Sequence, residues 1–383
     1  MFNQLRKSAQ RATWLNMKKL SDHRRWVDGL GDTGAWLDSP AADAGVSQGP
    51  AVPDLAWLSG RFFVLFEGKC AMSDNGCGTE PVWLVIGPGL DQNRVSEELA
   101  DAFRARFGQA CQVVRTQDLF LGISAGRLCL FDGEGRELAA PRVAYARLST
   151  PALSTDREIT LLRHLEAMGT VLVNPISSVL SCVNKFWHLQ NLAAAGIPVP
   201  DTRTHLDAPL EWLVAGGMAE PCVVKSVRGD RGRQVFLATD AAMLQGVLGS
   251  LRSEVPYLLQ DYIASSHGRS LRVVVVDGRV VEVQARQATD GRMVSNLAQG
   301  GEFTVCPGQY PRGEDLAIRA AQVLGLCVAG VDLLFLPDGG EFLVCEVNAN
   351  VSWGANLTAV TPAIVTACSD RLKTEAVTQT PLV

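Results

Sequence analysis

Two hairpins in the last third of the chain restrict what it can fold into more than any other feature. In the first, SLRVVVV runs into an Asp277-Gly278 turn and returns as RVVEVQARQ; in the second, VDLLFL passes through PDGG and returns as FLVCEVN. Asp-Gly tolerates the positive φ of a tight turn, so an antiparallel strand pair is expected at each place. Side chains two apart on a strand share a face, which puts Glu346 and Asn348 together among Val, Leu, Phe and Cys, with Asp332 on the partner strand beside them. Left unpaired in such surroundings these groups would cost several kcal/mol, so a ligand is expected. The set offers oxygens and no imidazole or thiolate, which suits a hard cation. Mg²⁺ in particular takes one or two carboxylates and completes its shell with water and substrate phosphates, so a phosphorylated ligand is expected too.

A holder for those phosphates should lie upstream. In VVKSVRGDRGRQVFL a strand carrying Lys225 leads into a glycine loop, Arg228 to Arg233, and a return strand. Backbone amides of such a loop can fold over phosphate oxygens while the lysine supplies charge from a rigid strand. The pattern is neither a GxxxxGK[ST] loop nor a GxGxxG turn entering a helix, and an ordinary exposed hairpin loop is the competing reading. Lys185 opens the helical stretch KFWHLQNLAAAG, where the macrodipole disfavours a cation unless an anion offsets it, and taken alone a surface position is the plainer reading. Downstream, Arg269, Arg272, Arg286, Arg292, Ser295 and Asn296 gather about the first hairpin. Arg272 and Arg286 are flanked by apolar strand residues, which directs them inward onto carboxylate or phosphate, whereas Arg269 reads as surface charge.

Before the hairpins, VWLVIG, QVVRT, RLCLFD and RVAYARL read as strands and VSEELADAFRARFG and DREITLLRHLEAMG as helices, the second stopped by Gly169. That is a small α/β unit over residues 78–178. PCVVKS, QVFLAT and YLLQDYI add strands after the Lys185 helix. Residues 1–77 hold four tryptophans but neither strand alternation nor helical period, and read as a poorly ordered extension; residues 371–383 read as a tail. The first 25 residues carry seven Lys and Arg against Asp22, a composition like that of a mitochondrial transit segment, but a solvated basic N-terminus is the plainer reading. A net charge of −5 offers no field for a nucleic-acid backbone, and no apolar run is long enough to span a membrane. The ten cysteines are scattered through apolar runs without CxxC pairs, as expected of reduced core thiols in a cytoplasmic protein.

Together, DREITLLRHLEAMG, VNKFWHLQNLAAAGIPVPDT, VVKSVRGDRGRQVFLA, PYLLQDYIASSHGRSLRVVVVDGRVV, TDGRMVSN and GVDLLFL followed by CEVNANV resemble the RimK-like branch of the ATP-grasp ligases, nearly in register from Asp156 to Val351. The likeness is to the part of that branch holding the N-acetylaspartylglutamate and β-citrylglutamate synthases. It implies an α/β (α+β) ATP-grasp fold: the pre-ATP-grasp α/β domain at 78–178, then central and C-terminal subdomains over 179–370 whose two sheets enclose the nucleotide. It also implies a ligase in which ATP phosphorylates a carboxylate and an amine attacks the acyl phosphate, with Mg²⁺ or Mn²⁺, up to two ions, as cofactor. Glutamate would supply the amine and N-acetylaspartate or citrate the acid. Addition of glutamate to a protein terminus, and ATP binding without turnover, are the alternatives. By the same likeness Lys185 and Lys225 hold phosphates, with Arg228, Gly229, Arg231, Gly232 and Arg233 as a lid and Gln260, Tyr262 and Ile263 beside the adenine. Arg272, Arg286 and Asn296 would act at the reacting phosphate, Arg292, Ser295 and Asn296 on the substrate, and Asp332, Glu346 and Asn348 on the metal. Neither nucleic acid nor membrane is expected as a partner, and a homo-oligomer is allowed for.

Overall fold

The computed structural model describes residues 81–148, 156–206, 212, 220–229, 234–251, 256–295, 300–354 and 357–378. The expected extension over 1–77 lies outside these residues, as do Arg231, Gly232, Arg233 and Asn296. The first strand, β1 (Val82–Ile86), is buried at all five positions. Its alternate side chains feed two cores: Val82, Leu84 and Ile86 meet α1 (Arg94–Phe107), while Trp83 and Val85 meet α2 (Arg157–Ala167). A strand covered on both faces must be apolar throughout, which is why VWLVI shows no alternation. It pairs in parallel with β2 (Cys111–Arg115) and β6 (Val143–Arg147), and β6 pairs in parallel with β7 (Val171–Val173). Asn93 caps α1 by accepting from the Val95 amide. Between β2 and β6 stands a small antiparallel sheet of β3 (Leu119–Ser124), β4 (Arg127–Asp132) and β5 (Glu137–Leu138).

After β7, α3 (Ile176–Val183) and α4 (Lys185–Ala194) meet at Asn184, whose side chain caps α4 through the Phe186 amide. A four-stranded antiparallel sheet follows, in the order β10-β9-β11-β8, from β8 (Thr202–Thr204), β9 (Cys222–Ser226), β10 (Val235–Ala238) and β11 (Tyr257–Asp261). Helix α5 (Ala241–Ser250) packs on it through Leu244 and Leu248.

The third sheet contains both expected hairpins. Its order is β14-β13-β12-β15-β16, from β12 (Arg269–Val276), β13 (Arg279–Gln287), β14 (Glu302–Val305), β15 (Val328–Phe335) and β16 (Phe342–Asn348). Asp277 and Gly278 both have positive φ, as a tight hairpin turn requires. Leu271, Val273, Val275, Val331 and Leu333 bury against α6 (Pro311–Val323), each contributing about 1.5–3 kcal/mol. On the other face Val274, Val276 and Val328 join the core that contains α1 and α7 (Val360–Thr378). That face is thus apolar where it docks on the N-terminal body and polar beyond, at Arg272 and Asp332. Helix α7 continues past residue 370, where the sequence reading begins a tail. Among the described residues every cysteine is free, and no helix is long and apolar enough to cross a membrane.

Candidate active site

Across the third sheet the strand registers put Gln284 opposite Arg272, Arg272 opposite Asp332, and Asp332 opposite Glu346. One row of side chains therefore reads amide, cation, carboxylate, carboxylate. Between Asp332 and Leu333 the partner strand advances two residues, from Glu346 to Val344, leaving Cys345 as a β-bulge. The bulge turns Cys345 and Glu346 to the same side, lining a cavity of ≈ 500 Å³, while Val344 and Val347 remain in the core. The other wall comes from the second sheet, through Val223, Lys225 and Gln260.

Asp332 is the hub of the row. Its Oδ2 accepts from Arg272 Nη1 at 2.6 Å and Asn348 Nδ2 at 3.3 Å, while Oδ1 lies 3.6 Å from Arg286 Nη1 and accepts no hydrogen bond. Gly330 makes this geometry sterically possible, since a Cβ there would stand 2.0 Å from Arg272 Nη2. Burial pushes the Arg286 guanidinium down to about 10, against the pull of Asp332. Lys185 Nζ donates to the Gly229 carbonyl at 2.6 Å and lies 3.3 Å from Glu346 Oε1. Burial alone would raise the Glu346 carboxyl, but the charges of Lys185 and Lys225 outweigh it and hold the group below the usual range. The nearest hydrogen-bonding contact of Lys225 Nζ is Cys345 Sγ, at 3.9 Å.

Most of the residues singled out in the sequence share this one cavity: Lys185, Lys225, Gly229, Gln260, Tyr262, Ile263, Arg272, Arg286, Ser295, Asp332, Glu346 and Asn348 all border it. Two do not. The Arg228 guanidinium lies 5.9 Å above the Trp187 ring, and Arg292 is ion-paired at 2.5 Å with Asp290, two residues away. In each case a partner close in space competes with the cavity for the guanidinium. Arg269, expected on the surface, instead borders the cavity, 4.3 Å from the Phe335 ring. Sequence reasoning also passed over Ser270, Gln284 and Cys345, Leu90 and Arg147 from the N-terminal body, and Trp353 from the segment after β16. The signal for Arg147 was present: it ends a parallel strand, and open parallel sheets bind ligands at their carboxyl edge.

The donor set fits a hard divalent cation, because a buried carboxylate oxygen of Asp332 has no hydrogen-bond partner and Glu346 and Asn348 stand beside it. Among the described residues no group of three or more His, Cys, Asp or Glu could hold a metal alone, so an ion here would depend on ligand oxygens as well.

A lysine-bearing antiparallel sheet facing, across a nucleotide-sized cavity, a second sheet that carries a glutamate, an aspartate and the two arginines paired with that aspartate is the arrangement of an ATP-grasp enzyme. A family profile described as the RimK-like ATP-grasp domain matches residues 182–360. Over 278 residues the chain is 40% identical to β-citrylglutamate synthase B of Danio rerio, covering 71% of this chain and 68% of that one. It is also 40% identical over 278 residues to N-acetylaspartylglutamate synthase A of Mus musculus, covering 71% and 73%. The ATP-grasp ligase PsnB, solved with minimal precursor, Mg and ADP, shares the fold at a TM-score of 0.57 and 20% identity, over 76% of this chain and 96% of that one. The chain belongs to the RimK-like ATP-grasp ligases, and it is an ATP-dependent, amide-bond-forming enzyme.

Proposed function

We propose that the protein joins glutamate to a small carboxylic acid, N-acetylaspartate or citrate, at the expense of ATP, with Asp332, Glu346 and Asn348 holding Mg²⁺. The observation that carries the reading is the charge of the cavity: six cationic side chains line it against three carboxylates, in a chain whose net charge is −5. Such a site suits a polyanion and its carboxylate co-substrates. Lys225 from β9 and Lys185 from the start of α4 hold the nucleotide phosphates, and Gln260, Tyr262 and Ile263 border the base.

A carboxylate is a poor electrophile because its oxygen is a bad leaving group, so phosphorylation must precede attack by the amine. Arg272 and Arg286, both fixed by Asp332, supply preorganised positive charge where the transferred phosphoryl group becomes more anionic. A bound Mg²⁺ would add Lewis-acid charge at the same phosphates. A site enclosed between the two sheets would keep out water, which would otherwise hydrolyse the activated acid.

The test is ADP release and product mass by spectrometry, with ATP, Mg²⁺ and glutamate and each acid added in turn. One acid should yield the glutamyl amide. Asp332→Asn and Glu346→Gln should each lower turnover at least about a hundredfold without loss of the folded state. Chelation of the metal should stop turnover of the parent enzyme. ATP binding with no ADP release in any mixture would instead make the chain a nucleotide-binding protein, and glutamate appearing on a peptide terminus would move the substrate to protein.

A further inference from the structure

Four cations bordering the cavity are buried, and two of them have carboxylate partners: Arg272 has Asp332 and Lys185 has Glu346. The other two, Lys225 and Arg147, pair with no carboxylate among the described residues. On the ligase reading Lys225 meets phosphate. Arg147 has no such assignment, yet it is 1% exposed and borders the same cavity, where the N-terminal body closes it. Its Nη1 donates to Asn350 Oδ1 at 2.7 Å and to the Val351 carbonyl, its Nη2 to Ser352 Oγ at 3.2 Å, and its Nε has no hydrogen-bond partner. Every acceptor is neutral. A guanidinium held out of water without a counter-charge is costly, and in the wall of a binding cavity the missing charge is that of a ligand.

The surroundings fit a substrate with a carbon chain. Arg147 ends β6 beside the loop that follows β1, through the Gly87 amide to the Arg147 carbonyl at 2.9 Å, and that loop brings Leu90 to the cavity. The Trp353 ring lies 5.8 Å from the guanidinium carbon. Cation, indole and leucine thus form one corner at the carboxyl edge of the parallel sheet.

We infer that this corner, with Arg147 at its centre, is the subsite for the non-reacting carboxylate of a substrate, either the amino acid or the acid to be activated. The inference rests on the proposed ligase function and deepens it: Arg272 and Arg286 serve the reacting end, and Arg147 reads the far end. Arg147→Gln removes the charge, Arg147→Lys keeps it, and Ser352→Asp supplies a counter-charge from within, on an exposed position already bonded to Nη2.

Kinetics with each substrate and its carboxamide analogue (glutamate against glutamine and isoglutamine, N-acetylaspartate against N-acetylasparagine) read the subsite directly. The parent enzyme should prefer one carboxylate over its amide in kcat/KM by at least about tenfold. That preference should vanish in Arg147→Gln and survive in part in Arg147→Lys. In Ser352→Asp, KM for the same substrate should rise at least about tenfold, with ATP affinity unchanged and the melting temperature equal to or above the parent's. The substrate whose preference collapses identifies the occupant. Unchanged preference for every pair in folded Arg147→Gln and Ser352→Asp would overturn the assignment, because a purely structural arginine would depress all substrates alike. If the parent turns over none of these acids, the function proposed above fails separately. The subsite is then judged by calorimetry with glutamate, N-acetylaspartate and citrate in the presence of ADP and Mg²⁺: an acid bound by the parent and lost in Ser352→Asp supports it, and equal or absent binding in both refutes it.

Discussion

His188 lies on α4 one turn beyond Lys185, fully buried, and neither ring nitrogen has a hydrogen-bond partner. Burial, reinforced by the positive charges of Lys225 and Lys185 against the opposing pull of Glu346, pushes the imidazole down to about 3. It is therefore neutral in the folded protein at any pH near 7, whereas in the unfolded chain it protonates near 6.5. Between those two values the unfolded state binds the extra proton, so stability rises with pH. On going from pH 6.5 to 5 this one residue should cost the native state about 2 kcal/mol, at roughly 1.4 kcal/mol per unit. His188→Leu should remove that slope and be as stable as the parent, or more so, at pH 7, since it replaces unsatisfied buried nitrogens by carbon. Urea unfolding of both proteins at pH 7 and pH 5 checks it; an identical acid sensitivity in the two would mean the slope comes from other groups.

Strand β15 carries Asp332 and Gly330 two residues apart, and the glycine is as much a part of the site as the carboxylate. A methyl group on Gly330 would collide with the Arg272 guanidinium, which has no slack because Asp332 holds Nη1. Gly330→Ala should lower stability by about 1–3 kcal/mol and cut turnover by displacing Arg272, while leaving ATP affinity within a few-fold. Thermal melting with steady-state kinetics tests both halves, and an active, fully stable variant would show that the arginine is free to move. Elements differ in how plainly the sequence announces them, for physical reasons. The hairpins of the third sheet were legible because Asp-Gly turns and apolar strands agree. Helix α6 was not: Tyr310 caps it without a side-chain bond, and Pro311 reads as a break although it occupies the first turn. Helix α7 begins VTPAIVTACS, where a proline near the start and small residues around the circumference blur the 3.6-residue period. Strand β3 was hidden by Phe120 and Ile123, which are exposed apolar residues where alternation would call for polar ones. At the site, the face shared by Asp332, Glu346 and Asn348 followed from strand periodicity, but nothing in LVCEV marks the bulge at Cys345 that rephases it. The neighbours that draw Arg228 and Arg292 away were equally unmarked, because charge and spacing do not say which of two partners is nearer.

At the scale of the molecule, the carboxyl edge of the parallel sheet is fastened to the two strands that carry the acidic pair. Asn174, just past β7, donates to the Val328 carbonyl at 2.8 Å and the Ala349 carbonyl at 3.0 Å and accepts from the Val328 amide at 2.7 Å. It thereby spans the start of β15 and the end of β16, while Arg147 grips residues 350–352 immediately after. All of these contacts are made on backbone or neutral side chains, so what they transmit is position rather than charge. Removing the carboxamide takes a partner from two buried backbone groups of Val328 and from the part-buried Ala349 carbonyl, and Asn174→Ala should cost about 2–4 kcal/mol. If the N-terminal body sets the geometry of the row from Arg272 to Glu346, kcat should fall by at least about tenfold while KM for ATP, whose phosphates and base we propose to meet α4 and the second sheet, changes little. Denaturant unfolding and saturation kinetics separate these effects. A destabilised enzyme with unaltered kcat would confine the body's role to enclosing substrate, since the strands would then hold Asp332 and Glu346 in place through their own ladder.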